Sequence, residues 1–284
     1  MRRAPLLALL VLALAGCAAP AQDPAGAEGP IDLSGRLGLM LVDVESRSVL
    51  LYGERATLGW MSPNATVVTW MEEDYAIVHD RTTGARDIGA PTVWARVHDN
   101  GTGLELAEEE ARLRQLVGVD VLQTTPLPPP PRVGARWTGA SADLGVLVGE
   151  YLGAQRGGCR NDLYIRSPQL ERSIGCHLRV ADDGRVGWTE GTSVRVRERD
   201  GTLRNLTGPG SGDASNGTFV GHENPVFTED GVLMLRLTGG LQLRLSEIVD
   251  EEGNVLAKAD GPRRLALLDA SADGRHILVR AFDR

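Results

Sequence analysis

Three cysteines are the residues of this 284-residue chain most able to do covalent chemistry, and two of them form a pair by spacing. Cys159 and Cys176 bracket RNDLYIRSPQLERSIG, which reads as a hairpin centred on Ser167-Pro168. In a symmetric register the paired positions sum to 335, so Tyr164 faces Glu171 and Cys159 faces Cys176. Opposed, non-hydrogen-bonded positions bring two side chains close enough for a disulfide. A redox-active pair more often shows Cys-x-x-Cys spacing, so the bridge is expected to be structural. Two unpaired thiols are the alternative.

Other chemistry is sparse. The nucleophile elbow Gly-x-Ser-x-Gly, the Walker loop and the dinucleotide fingerprint are absent from the sequence. Gly208, Gly210 and Gly212 lie in a polar stretch, not between a strand and a helix. His222-Glu223 lacks the second histidine of a zinc-protease motif, and His79, His98, His177 and His276 are scattered along the chain. They read as polar strand-end or surface residues; a metal site assembled from distant strands is what spacing leaves open. Asp250-Glu251-Glu252-Gly253 reads as a solvated turn, since the calcium-loop pattern Asp-x-Asp-x-Asp-Gly is missing. These patterns lead to no expected catalytic residue, metal ligand or cofactor.

The third thiol sits in a different context. Arg2 and Arg3 precede an apolar run from Pro5 to Ala15, too short to span a bilayer, that ends in Leu14-Ala15-Gly16-Cys17. This resembles the lipobox of bacterial lipoproteins, an aliphatic residue and two small residues before an obligatory cysteine. The resemblance implies that residues 1–16 are a removable signal peptide. It also implies that the Cys17 thiol receives diacylglycerol before cleavage and becomes the lipid-bearing N-terminus. A second acyl chain on the new amino group would make the anchor firm where one chain is marginal. Ala rather than Asp at position 18 favours the outer membrane, facing the periplasm, by the same analogy. A buried helix that happens to end in Cys is the alternative. Export to an oxidising compartment strengthens the expectation of a bridge between Cys159 and Cys176.

Loss of Arg2 and Arg3 moves the formal charge from -8 to about -10. So acidic a protein is a poor partner for nucleic acid or anionic headgroups, and membrane contact is expected through the lipid alone. Residues 17–35 are read as the lipidated N-terminus and a flexible linker; AAPAQDPAGAEGP, at 18–30, has no periodicity.

The body, residues 36–284, is organised by a repeat. An apolar or Trp-bearing strand, a tight turn and a second strand recur at Asn64-Ala65, Asn100-Gly101, Asp143-Leu144-Gly145, Asp183-Gly184, Asp230-Gly231 and Asp273-Gly274. The spacings are 36, 43, 40, 47 and 43 residues. Such turns supply the positive φ that antiparallel hairpins need. Second hairpins follow around Thr83-Gly84, Ser167-Pro168, Asp200-Gly201 and Glu252-Gly253, giving four strands per unit, the size of a propeller blade. Residues 263–284 supply two strands and residues 37–53 an orphan hairpin, which together complete a sixth unit. The expected fold is all-β, a six-bladed β-propeller closed by pairing N-terminal with C-terminal strands; a β-sandwich or an open array is the alternative. Residues 104–117 are read as a short helix in the second unit. Pro126 and Pro128 to Pro131 are read as a polyproline II connector, and 208–218 as a polar loop.

The repeats resemble the TolB-type, WD40-like propeller family over residues 36–284. Trp60-Met-Ser-Pro-Asn-Ala is similar to that family's Trp-Ser-Pro-Asp-Gly, with looser copies at Ser271-Ala-Asp-Gly, Thr228-Glu-Asp-Gly and Ala181-Asp-Asp-Gly. TolB's N-terminal α/β domain has no counterpart in the sequence. Ser141-Ala-Asp-Leu-Gly145 is similar to the first half of a sialidase Asp-box, but Val146, Leu147 and Val148 replace its Thr-Trp end. Two functions are carried forward. One is a non-catalytic envelope lipoprotein whose propeller face binds a protein, peptide or glycan. The other is a propeller glycoside hydrolase or lactonase acting on envelope glycans.

Overall fold

In the computed structural model the described residues are 21–22, 29–90, 94–99, 102–107, 112–117, 120–126, 135–151, 161–165, 170–173, 175–211, 220–239 and 244–283. They contain strands and turns, and the strands fall in six sheets, antiparallel except where Ile31–Asp32 joins Val255–Ala259. Sheet 1 holds Ala56–Met61, Val67–Glu72, Tyr75–Asp80 and Arg86–Gly89. Sheet 2 holds Trp94–Val97, Thr102–Ala107, Arg112–Val117 and Asp120–Pro126. Sheet 3 holds Ala135–Ala140, Val146–Tyr151, Asn161–Ile165 and Leu170–Ser173. Sheet 4 holds Cys176–Val180, Val186–Glu190, Ser193–Arg197 and Leu203–Asn205. Sheet 5 holds Val220–Phe227, Val232–Gly239, Arg244–Val249 and Val255–Ala259. Each is a simple meander.

Sheet 6 takes strands from both ends of the body. Arg263–Ala270 and His276–Asp283 are followed in space by Gly38–Asp43 and Ser48–Gly53. The junction runs from His276 opposite Asp43 to Ala281 opposite Gly38. Arg275 donates to both carboxylate oxygens of Asp43, at 3.2 and 3.0 Å, and so clamps its end. The first strands of the six sheets pack against one another in cyclic order, from sheet 1 through sheet 6 and back to sheet 1.

Burial falls from the inside outward. Second strands such as Val67–Glu72 are buried over almost their whole length, because a neighbouring sheet covers each face. The last strands of sheets 1 and 4 are exposed. They are four and three residues long and carry Arg86, Asp87 and Arg204, which discourages pairing with another chain. Strand alternation assigns each side chain to one interface. Met40 and Val42 enter the core between sheets 5 and 6, whereas Leu39 and Leu41 enter the core between sheets 6 and 1.

Trp70 anchors the second of these cores with 0% of its surface exposed. Its ring lies 4.9 Å from that of Tyr52, and the Arg86 guanidinium sits 5.7 Å over it. Trp70→Ala is expected to cost about 3–5 kcal/mol. Urea unfolding checks this, as a lowered midpoint at unchanged slope.

The recurrent turn is wired by its serine and aspartate. Ser62, Ser141 and Ser271 each accept, through Oγ, the N–H of the residue five positions on, at 3.0, 2.9 and 2.8 Å. Ser141 and Ser271 donate to the turn carboxylates Asp143 and Asp273 at 2.8 and 2.6 Å. Those carboxylates in turn accept the N–H of Gly145 and Arg275. Positive φ falls at Ala65, Leu144, Gly184 and Gly274. The Ser141-Ala-Asp-Leu-Gly145 element is therefore a local turn device.

Four readings need correction. The described residues of 104–117 are strand and not helix: Thr102–Ala107 pairs with Arg112–Val117. The Leu104-Glu105-Leu106 alternation has the period of a strand, and sheet pairing overrides helix-forming residues. Pro126 is no part of a connector but ends the edge strand of sheet 2, where a missing N–H is tolerated. Residues 31–33 do not belong to a flexible linker: Ile31–Asp32 pairs in parallel with Val255–Ala259, and Ile31 and Leu33 are fully buried. Ala21–Gln22 also pairs, with Ser48–Gly53. The hairpin after Asn161 is one residue out of the expected register, with Tyr164 opposite Leu170 and Leu163 opposite Glu171. A one-residue shift turns every side chain to the other face.

Candidate functional site

Every pairing between the first and second strand of a sheet contains a register shift. Such irregularities twist a strand and re-aim its side chains. In sheet 6 the shift lies between Leu267 and Asp269, and in sheet 4 between Cys176 and Arg179. Both charged residues thereby line a 360 Å³ cavity where first strands of five sheets meet. Trp60 and Met61 come from sheet 1, Val97 from sheet 2, Val226 and Phe227 from sheet 5, and the recurrent turns add Asp182, Glu229 and Ala272.

The turns are linked around this mouth. Ala272 N–H donates to the Pro63 carbonyl and Glu229 N–H to the Ala272 carbonyl, both at 2.7 Å. Ala142 N–H donates to the Asp182 carbonyl at 3.0 Å. Asn64 donates from its backbone and its side chain to the Asp99 carboxylate, at 3.0 and 2.8 Å. Arg185 Nη2 reaches the Thr228 carbonyl at 2.9 Å.

Asp269 is the most perturbed acid of the cavity. Burial pushes its carboxyl up to about 6, and the Asp182 charge pushes the same way. The N–H groups of Met61, on Oδ2 at 2.8 Å, and Ala270, on Oδ1 at 2.9 Å, oppose the rise, as does Arg179. Arg179 is shifted downward by burial, and its buried Nε has no hydrogen-bond partner in the structure. Asp269 acts on it by charge, not through a hydrogen bond.

A carboxyl raised above its unfolded value of 3.8 binds protons more tightly in the folded state. Its contribution to stability is complete below that value and is lost as pH rises through about 6. Asp269→Asn is therefore expected to gain stability relative to the native protein between pH 4 and pH 8. Paired thermal melts across that range check the trend; a difference that is flat or falls with pH contradicts it.

The residues singled out by sequence are placed unevenly. Cys17 and Cys159 lie outside the described residues. Cys176 opens sheet 4 and is disulfide-bonded. It is not on the hairpin strand Leu170–Ser173, so opposition across that hairpin no longer supports a pairing with Cys159. Burial holds His79, His222 and His276 below the ordinary histidine range, and His79 packs edge-on against Tyr52 and Trp70. Among the described residues no group of three or more His, Cys, Asp and Glu side chains is placed to hold a metal ion. No helix among them is long and apolar enough to cross a membrane. Asp269 and Arg179 were not singled out by sequence. The available signal was a charged residue in an apolar strand, two positions before the serine or its equivalent, as in Leu268-Asp269-Ala270-Ser271 and Leu178-Arg179-Val180-Ala181.

Radially ordered sheets around a ring of first strands define the chain as a β-propeller protein. Its fold is similar to that of a TolB-type propeller. A putative TolB from Agrobacterium tumefaciens superimposes with a TM-score of 0.57 at 12% identity, covering 88% of this chain and 99% of that one. TolB from Acinetobacter baumannii gives 0.47 at 14% identity, covering 87% and 64%. A calcium-binding regucalcin from Agrobacterium tumefaciens gives 0.47 at 12%, covering 91% and 98%. No protein-family model matches the chain, and no curated protein matches it by sequence.

Proposed function

We propose that the chain is a non-catalytic binding or assembly scaffold of the bacterial envelope. In this reading it is a six-bladed propeller held to the membrane by lipid on Cys17, with a protein, peptide or glycan bound at the cavity-bearing face. The observation that carries the reading is the cavity itself, where five sheets converge on charged and apolar side chains. Such convergence is the common form of a ligand site. A photo-crosslinking residue at Glu229, on the rim, is compared with one at Ile88, 64% exposed on an outer edge. A specific crosslinked species from intact cells is expected at position 229 and not at 88. Equal silence, or equal labelling, would contradict a binding face there.

One observation favours a second reading, a propeller glycoside hydrolase or lactonase. A carboxyl at about 6 beside a second carboxylate, Asp182, is the environment of a general acid. Turnover of a glycoside or lactone by purified protein, abolished by Asp269→Asn, would replace the scaffold reading with this one.

The bridge proposed for Cys176 is to Cys159, worth about 3 kcal/mol for a loop of this length. Non-reducing peptide mass spectrometry should find the two joined. Alkylatable thiols at both positions would refute it.

A further inference from the structure

We propose that the cavity binds a small zwitterion, a molecule carrying a carboxylate and an ammonium group a few atoms apart beside an apolar side group. This rests on the reading of the cavity as the binding site and names the class of its ligand.

The carboxylate is called for by Arg179. Its guanidinium stays charged under all physiological conditions, and a buried donor without an acceptor is costly. The Nε of Arg179 is in that condition, at the wall of a cavity into which a planar acceptor can enter. A carboxylate suits it best, since it takes two parallel hydrogen bonds from the guanidinium fork.

A carboxylate alone does not balance the site. Arg185, the other cation of the wall, is engaged: its Nε lies 2.7 Å from Asp183, Nη2 donates to Thr228, and its guanidinium sits 5.0 Å over the Phe227 ring. That leaves Arg179 as the cation of the wall alongside Asp269 and Glu229. A bare anion would deepen this acidic surplus. An ammonium group beside Asp269 would offset it, and would favour the ionised carboxylate that burial and Asp182 now oppose. The Asp269 carboxylate is already oriented by two backbone N–H groups, one on each oxygen, and each oxygen retains a lone pair for a ligand.

Size and lining fit a small molecule. The 360 Å³ volume is at the lower end of the range, about 300–1,000 Å³, usual for small-molecule sites. Trp60, Val97, Phe227 and Leu268 supply the apolar wall for a side group.

The test is titration calorimetry and thermal shift on the full chain with a panel of free α-amino acids. Each is paired with its deaminated acid and its decarboxylated amine. At least one amino acid with an apolar side chain is expected to bind, and both of its halves to bind about 100-fold more weakly. Arg179→Lys, which keeps the charge but loses the fork, is expected to weaken binding at least tenfold, or about 1.4 kcal/mol. Asp269→Asn is expected to do the same, with both variants showing a cooperative melt. The proposal fails if no amino acid binds at millimolar concentration, if either half binds as tightly as the whole, or if Arg179→Lys is without effect. The position 229 crosslink separates the two claims. A crosslink that persists without amino-acid binding sinks the zwitterion alone; loss of both sinks the cavity as a site.

Discussion

A chain ending at Gly261 is expected to lack the cooperative thermal transition expected of residues 31–284. The deletion removes the two strands onto which Gly38–Asp43 is built. Leu265, Leu267, Ile277, Leu278 and Val279 are all buried, as are their neighbours Leu39, Met40 and Leu41. Burial of one such side chain contributes about 1.5–3 kcal/mol, so five give on the order of 10 kcal/mol. That is comparable with the whole stability of an ordinary domain, about 5–15 kcal/mol. The loss also strips one covering layer from each of the two largest cores. Thermal unfolding of residues 31–261 against 31–284 checks it. An unchanged midpoint and cooperativity would mean that the ends contribute nothing to each other's stability.

The second large effect is expected at Cys17. A serine hydroxyl cannot form the thioether, so Cys17→Ser should accumulate as the uncleaved, unlipidated precursor, with none of the acylated form remaining. Intact-mass analysis of the membrane fraction, with and without the lipoprotein-signal-peptidase inhibitor globomycin, reads both changes. Normal processing of the serine variant would end the lipoprotein reading and leave the propeller without its proposed anchor.

The sequence carried the repeat because turns have stringent local chemistry. Asp-Gly and Ser-x-Asp determine their own hydrogen bonds within five residues, and Asp273-Gly274 and Asp183-Gly184 could be read from that alone. Pairing of residues 37–53 with 263–284 followed from counting strands. Register was less legible. The hairpin after Asn161 missed by one residue, because turn length sets register and the turn type there was ambiguous. The candidate site was the least legible part. Arg179 and Asp269 lie 90 positions apart, and what unites them is a register shift in each first strand, a feature of the backbone that side-chain patterns do not announce. The buried Ile31 and Leu33 were hidden for a related reason. Two apolar residues after a stretch rich in Pro and Gly have no periodicity to reveal them.

The junction within sheet 6 also governs the order of events during folding. Asp43 and Arg275 meet across 232 positions of chain, so their contact closes a loop of nearly the whole body. The entropy of loop closure places such a pairing late. Gly38–Asp43 precedes His276–Asp283 by most of the length of the body and must wait for it. Until that strand has been made, Gly38–Asp43 has its hairpin neighbour Ser48–Gly53 on one side and an unpaired edge on the other. The ring is thus a latch that synthesis itself sets, and its timing is written in the separation between the two strands.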